Sequence, residues 1–301
     1  MNEIRKNEWF KDDYNTLYHF TSIDSLIKIL ITDTFRLSCI NKMNDINELL
    51  PLSKKFDSIN KDKRIIEYEK DIRKKTFVGC FNVLEKDQDI RDKVSMWGNY
   101  ADSGKGICLE IDKSKLDQKL WKLIYDVEND AVKCGIHIDK FKIKYERQSY
   151  IEKTKERFFE QNMYTIFPKT DDEFALEDDN ICEDVIDRAI KNRVASMPRQ
   201  EIPLYMVLKM LFGIKSEEWK SENEYRYLFY DHFSYTDWFN INGFSDVIRN
   251  VFVGENQDVE NIKLLRNIKD KLLPNVNFFI RVKNSETEIS SKEIDELINM
   301  F

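Results

Sequence analysis

The sequence predicts an α+β fold with a mixed, mainly antiparallel sheet and a helical insertion. Strand-like runs follow one another through short links and do not alternate regularly with helices, which disfavours a doubly wound sheet. Helical patterns replace strands over residues 150–212, and strands resume directly afterwards. The 301 residues, 42% of them apolar, suffice for a large core. We therefore predict one domain over residues 1–301, with residues 150–212 as a helical insertion or subdomain within it.

The first half of the chain predicts short strands joined by helices and turns. Leu17–Thr21 reads as a strand, and a helix capped by Thr21 or Ser22 runs from Ile23 to about Asp33. The later strands are predicted at 35–38, 76–82, 107–111, 123–127 and 141–145. A polar turn at 41–48 leads into another helix, a charged surface helix covers 53–75, and a short helical or turn element covers 94–100.

The second half predicts helices first and strands later. Helical spacing marks the ranges 151–159, 181–197 and 203–212. Three strands are predicted at 222–230, 247–253 and 276–282, and two helices at 257–272 and 291–300.

Composition limits the possible partners and compartments. The net charge is −7 with a pI near 5.3, so no global basic field favours nucleic acid. The N-terminal residues lack an apolar signal region, and no run approaches the roughly eighteen apolar residues of a membrane span, so we expect a cytoplasmic protein without a membrane partner. Five widely spaced cysteines and three distant histidines predict free thiols and no metal site.

The most distinctive stretch runs from Trp219 to Tyr230. In a strand, Glu222, Glu224 and Arg226 would share one face. Neighbouring carboxylates repel and raise one pKa unless a cation or a substrate offsets them. Arg226 is itself such a cation, so the three residues are equally compatible with a structural ion pair. Common nucleotide-binding loops and the hydrolase Gly-x-Ser-x-Gly motif are absent from the sequence.

Several motifs together resemble a known bacterial family, and they occur in this order: Tyr18-His-Phe-Thr-Ser22, Asn44-Asp-Ile-Asn-Glu48, Met96-Trp-Gly-Asn-Tyr100, Gly106-Ile-Cys-Leu-Glu-Ile-Asp112, Trp219 with Glu222-Asn-Glu-Tyr-Arg226, and Val251-Phe-Val-Gly254. The chain resembles the domain of unknown function DUF2971 from about residue 15 to 283. The family name itself implies no activity.

A looser resemblance is to the ADP-ribosyltransferase fold, which implies a core sheet of that type. It implies that His19 binds the ribose of NAD, together with Tyr18 and Thr21 of the same motif, and that Glu224 of Glu222-x-Glu224 is the catalytic carboxylate.

In the same resemblance, Tyr100 or Trp97 would supply the aromatic ring that stacks on nicotinamide. Glu222 would orient an acceptor or take its proton as a general base. Arg226 would bind pyrophosphate, or it would neutralise Glu224.

The leading hypothesis is an NAD-dependent ADP-ribosyltransferase or NAD glycohydrolase. NAD would be the substrate, no metal would be needed, and the acceptor would be an unknown protein or nucleic acid. A role as a toxin or anti-phage effector fits by analogy with the fold. The oligomeric state stays open.

The alternative is a non-enzymatic nucleotide- or partner-binding module, in which Glu222, Glu224 and Arg226 form a structural ion-pair cluster. A third hypothesis is a nucleic-acid-processing enzyme without NAD. The sequence argues against it, because it shows neither a cluster of acidic metal ligands nor a stripe of basic residues with interleaved aromatics. One geometric criterion separates the first two: in the enzyme, His19 and Glu224 line one cleft with an aromatic ring between them. Structural roles in packing and capping are open to His19, Trp97 and Tyr100 as well.

Overall fold

A computed structural model describes most of the chain. The described residues are 13–42, 70–126, 131–133, 135–154, 208–209, 211–234, 236–283 and 289–293. They form an α+β fold with a mixed, mostly antiparallel sheet, which confirms the predicted fold class.

Ten of the described strands form one large sheet. These are β1 (Thr16–Thr21), β2 (Thr34–Cys39), β3 (Thr76–Asn82), β4 (Ile107–Asp112), β7 (Ile136–Lys142), β10 (Glu224–Asp231), β11 (Trp238–Asn242), β12 (Ile248–Val253), β13 (Asn277–Lys283) and β14 (Ile289–Glu293). Their order is β11-β2-β3-β1-β4-β12-β13-β14, and β10 pairs with both β3 and β7. Only β12 and β13 run parallel within this sheet.

Two short strand pairs lie outside the large sheet. One is β5 (Tyr125–Asp126) with β6 (Ala131–Val132), and the other is β8 (Lys144–Glu146) with β9 (Ile214–Ser216). The second pair is parallel and joins the two ends of the predicted insertion. Most of that insertion lies outside the described residues; within it, residues 151–154, 208–209 and 211–212 are helical.

The sheet forks at β3. One edge of β3 pairs with β10 along its whole length. The other edge pairs with β1 at Asn82 and with β2 at Phe77 and Val78. In the middle of β3, the carbonyl oxygen of Cys80 lies 3.3 Å from Nδ1 of His19. The imidazole therefore lies at the fork.

Three helices cover one face of the sheet, which we call the core face. They are α1 (Ile23–Thr32), α3 (Lys113–Ile124) and α4 (Val259–Leu272), while α2 (Val94–Tyr100) covers the opposite face. A side-chain oxygen caps each helix of the core face, from Ser22, Asp112 and Asp258 respectively. No helix in the described ranges has the length and apolar character needed to span a membrane.

A buried charge network joins α3 to the core face. Oδ2 of Asp117 accepts hydrogen bonds from Nζ of Lys113 at 2.8 Å and Nζ of Lys140 at 2.6 Å. Oδ1 accepts from the hydroxyl of Tyr227 at 2.7 Å. Burial lowers the pKa of Lys140 to about 8, although Asp117 favours its charged form.

The structure confirms most predicted elements to within a few residues, including β1, α1, β2, β3, α2, β4, β12, α4 and β13. The strand predicted over 123–127 is confirmed only at Tyr125–Asp126, because α3 extends to Ile124, and residue 127 lies outside the described residues. The strand expected at 141–145 is divided at Ile143 between β7 and β8.

Two further corrections concern the second half of the chain. Strand β14 occupies 289–293, so the helix predicted from 291 is wrong at its start, and 294–301 lie outside the described residues. Glu222 belongs to a 3₁₀ turn and not to the strand, which begins at Glu224. Of the other predicted segments, 43–50 and 181–197 lie outside the described residues, and of 53–75 only the helical residues 70–75 are described.

Candidate ligand-binding site

Five polar side chains form a continuous row on the face opposite the core face. Antiparallel pairing places Glu224, Asn82, Tyr18, Glu110 and Asn250 directly opposite one another on β10, β3, β1, β4 and β12. Residues directly opposite each other in an antiparallel pair project to the same face. We call these five residues the polar row. It borders the apolar cluster that α2 forms with Phe20 and Cys108.

A tight turn places the carboxylates of Glu222 and Glu224 at one end of this row. The 3₁₀ turn Glu217–Glu222 ends at Asn223, which has a left-handed φ of 49°, a conformation that asparagine tolerates better than most residues. Nδ2 of Asn223 donates to the carbonyl of Val83 at 2.6 Å, and Nδ2 of Asn82 donates to the carbonyl of Glu222 at 2.5 Å. These bonds fix Glu222 beside the start of β10.

Both carboxylates contact the same ammonium group. Nζ of Lys215, on β9, lies 2.7 Å from Oε2 of Glu222 and 3.4 Å from Oε2 of Glu224. Arg226 donates from Nε to Oε1 of Glu224 at 2.5 Å and from Nη2 to Oε2 at 3.0 Å. We call these four buried residues the charge cluster. Its two negative and two positive charges balance.

The charge cluster keeps Glu224 ionised. Burial by itself would raise the pKa of Glu224, but Arg226, Lys215 and a hydrogen bond from the Cys80 thiol lower it to about 2. A raised pKa, which the sequence predicts for one carboxylate of an uncompensated pair, is therefore not found at Glu224.

Two partly exposed aromatic side chains flank the Glu222–Lys215 pair. The hydroxyl of Tyr100 donates to Oε1 of Glu222, and Nζ of Lys215 lies 4.8 Å from the centroid of the Trp219 ring. Tyr100 is 42% exposed and Trp219 is 37% exposed. Burial and the bond to Glu222 raise the pKa of Tyr100 above its usual value, so its hydroxyl is a donor at neutral pH.

Of the eight sequence-predicted site residues, six lie on the face opposite the core face and two, His19 and Thr21, point to the core face. Tyr18, Tyr100, Glu222, Glu224 and Arg226 share the face opposite the core.

Trp97 lies on that face but is buried, with its ring 5.1 Å and edge-on from Phe20 and its N–H donating to the carbonyl of Ile90. No ring surface of Trp97 is open for stacking on nicotinamide.

His19 and Thr21 alternate with Tyr18 along β1, so their side chains point to the core face. The ring centroid of His19 lies 4.9 Å from that of Phe35 and 5.8 Å from that of Phe81, which both belong to the main core. Burial lowers the pKa of His19 to about 4, against the opposing effect of the Cys80 carbonyl. His19 and Glu224 therefore do not line one cleft.

Several site residues escaped the sequence analysis. Glu110 had a detectable signal, since it is the one charged side chain within the otherwise apolar Ile107–Ile111 run. Lys215, Asn82 and Cys80 had none, because their roles depend on contacts between distant segments. The described residues contain no group of three or more His, Cys, Asp or Glu arranged to hold a metal ion.

Comparison of the chain with known proteins finds a match to a family model in its central part. No curated protein and no solved structure matches it. Residues 96–227 match the family model described as "Protein of unknown function (DUF2971)". This range contains α2 from its third residue, Met96, onwards, together with Glu110, Trp219 and the whole charge cluster. This match supports the resemblance to the DUF2971 family that the motifs predict.

Proposed function

We propose that the chain is a nucleotide-binding module whose ligand places a planar ring beside Tyr100 and Trp219. The observation that carries this proposal is the position of the Glu222–Lys215 pair next to two partly exposed aromatic rings. Ligand sites commonly combine aromatic walls with a few fixed polar groups.

The chemistry of these side chains is complementary to a nitrogen heterocycle. Stacking of a base on an aromatic side chain contributes about 1–3 kcal/mol. A carboxylate acceptor adjacent to an ammonium donor matches the neighbouring donor and acceptor groups of a nucleobase or a carboxamide edge. Tyr100 adds a hydroxyl at the same point.

Charge balance favours binding without catalysis. Glu224 is engaged by two hydrogen bonds from Arg226 and by Lys215, so Glu224 and Arg226 act as a structural pair in this proposal. The cluster as a whole has no excess positive charge to attract a pyrophosphate. His19, the ribose ligand expected for the enzyme, points to the core face.

Calorimetric titration tests the proposal directly. We expect adenosine, nicotinamide riboside or NAD to bind, and inorganic pyrophosphate alone not to bind. Tyr100→Ala should weaken binding, whereas Tyr150→Ala, which removes another exposed tyrosine, should not. Absence of heat with every nucleoside and with NAD would refute the proposal.

The second candidate is NAD-dependent ADP-ribosyl transfer or NAD hydrolysis on an ADP-ribosyltransferase-like fold. The position of Glu222 supports it, since this carboxylate lies beside the partly exposed Tyr100 and shares a face with Tyr18. In this version Glu222, and not Glu224, would stabilise the oxocarbenium-like state of the ribose. Tyr18 would replace His19 as the residue that contacts the sugar.

Consumption of labelled NAD separates the two candidates. The enzyme hypothesis expects wild type to consume NAD in the presence of cell lysate or nucleic acid, and Glu222→Gln to leave it intact. The position of the label would then distinguish transfer to an acceptor from hydrolysis. Binding of NAD without consumption would favour the module.

A further inference from the structure

We infer that Tyr18 and Glu110, the latter oriented by Asn250, bind the neighbouring hydroxyl groups of a ribose. The ligand of the proposed site is then a nucleoside or nucleotide and not a free base. This inference rests on the proposed function and specifies the class of its ligand.

The hydroxyl of Tyr18 is a hydrogen-bond donor that no other described residue accepts from. Its side chain is half-buried on the polar row, and among the described residues its hydroxyl has no hydrogen-bond partner. Burial and the nearby Glu110 raise the pKa of Tyr18, so the hydroxyl remains protonated at neutral pH. A half-buried donor of this kind gains by binding an acceptor from a ligand.

Glu110 offers the complementary acceptor on the next strand. Oε2 of Glu110 accepts from Nδ2 of Asn250 at 3.0 Å, which orients the carboxylate. None of the ion pairs among the described residues includes Glu110, and Arg249, the neighbour of Asn250 in the chain, pairs with Asp112. Glu110 is therefore a carboxylate with a free oxygen and no ion-pair partner in the described part of the chain.

This donor and acceptor project from neighbouring positions on the same face of the sheet, so both are available to one sugar ring. Tyr18 and Glu110 are directly opposite on β1 and β4, and neighbouring strands lie about 4.8 Å apart. Each ribose hydroxyl both donates and accepts, so two adjacent hydroxyls satisfy the phenol and the carboxylate together. An apolar ligand would leave both groups unsatisfied.

The row is continuous with the proposed ring site. Asn82, the neighbour of Tyr18 on β3, donates to the backbone of Glu222, whose carboxylate contacts Tyr100. In this inference, a ligand with its ring beside Tyr100 extends along the row towards Tyr18 and Glu110.

Calorimetric titration with matched base and nucleoside probes tests this inference. The probes are adenine with adenosine and 2′,3′-dideoxyadenosine, and nicotinamide with nicotinamide riboside. The proteins are wild type, Tyr18→Phe, Glu110→Gln and the control Glu260→Gln, which removes an exposed charge on α4. Circular dichroism and thermal unfolding establish that each variant is folded.

For wild type and the control, we expect at least one nucleoside to bind about tenfold more tightly than its base, as two added hydrogen bonds allow. Tyr18→Phe and Glu110→Gln should each reduce this preference and leave the affinity for the base unchanged.

Equal affinity for base and nucleoside in wild type, or an unchanged preference in both variants, would overturn the ribose subsite while the ring site stands. Absence of binding by every probe would refute the proposed function, and the ribose subsite with it.

Discussion

The hydroxyl of Tyr100 donates a hydrogen bond to the carboxylate of Glu222 and so joins α2 to the turn before β10. The two residues are 122 positions apart in the chain. Glu222 in turn contacts Lys215 on β9, so a single carboxylate connects α2 with β9 and with the turn that follows β9. The proposed ring site depends on this connection.

Loss of the Tyr100 hydroxyl should destabilise the fold. In Tyr100→Phe, the buried carboxylate of Glu222 loses a donor, and an unsatisfied buried polar group costs about 1–3 kcal/mol. Urea denaturation would measure the decrease in the free energy of unfolding. Tyr150→Phe is the matched control, because Tyr150 is exposed and makes no hydroxyl contact within the described structure; its effect should stay within about 0.5 kcal/mol. Equal stability of Tyr100→Phe and wild type would contradict the prediction.

Arg226 and Glu224 should be strongly coupled in stability. Within the described residues, Arg226→Met leaves the carboxylate of Glu224 with Lys215 and Cys80 as partners, and breaking a buried ion pair costs about 3–5 kcal/mol. Adding Glu224→Gln removes the uncompensated charge. The double variant should therefore lose about 1–3 kcal/mol less than the sum of the two single variants. Denaturation of all four proteins in this cycle gives the coupling, and simple additivity would show that the pair is not structural.

The order of elements could be read largely from local sequence patterns. β3 and α2 lie at 76–82 and 94–100, where they were predicted. Helix α3 was missed, although Asp112 caps it and Leu116, Leu120 and Ile124 recur at four-residue spacing. The apolar periodicity of α3 is interrupted because two of its buried positions hold charged residues. Lys113 and Asp117 are buried there in the network with Lys140.

The site was only partly predictable because its geometry depends on one unusual backbone conformation and on the pairing of distant strands. Glu222 and Glu224 were identified as neighbours, but the strand pattern gave no sign that Asn223 adopts a left-handed conformation between them. The face of His19 depends on the register that places Tyr18 opposite Asn82. Such pairings between distant strands are not encoded in any local pattern.

Stability should fall in acid partly through Glu224. Its pKa is about 2 in the folded protein, against roughly 4.3 in an unfolded chain. The unfolded state therefore binds a proton first, and the stabilisation, which is complete above about pH 5, is lost as the pH falls towards 2. Glu224→Gln should flatten this part of the profile of unfolding free energy against pH. Glu260→Gln, with an exposed carboxylate, should leave the profile unchanged, and parallel profiles for wild type and Glu224→Gln would be inconsistent with a lowered pKa.

His19 should affect stability and not ligand binding. Its folded pKa of about 4 lies below the unfolded value of roughly 6.5. Its stabilising contribution is present above pH 6.5 and is lost as the pH falls to about 4, because only the unfolded state gains the proton in this window. His19→Gln should remove this pH dependence and leave nucleoside affinity at neutral pH unchanged. If His19→Gln had native stability but bound nucleosides much more weakly than wild type, His19 would be part of the binding site and this prediction would be wrong.

The most direct test of the central claim is tryptophan fluorescence during titration with NAD and adenosine. Wild type should show a saturable quench that disappears in Trp219→Phe. The quench should persist in Trp238→Phe, which removes an exposed tryptophan on β11, away from the charge cluster. The account predicts that at least one of the two ligands gives this pattern. A saturable signal that survives in Trp219→Phe, or no saturable signal with either ligand, would contradict it.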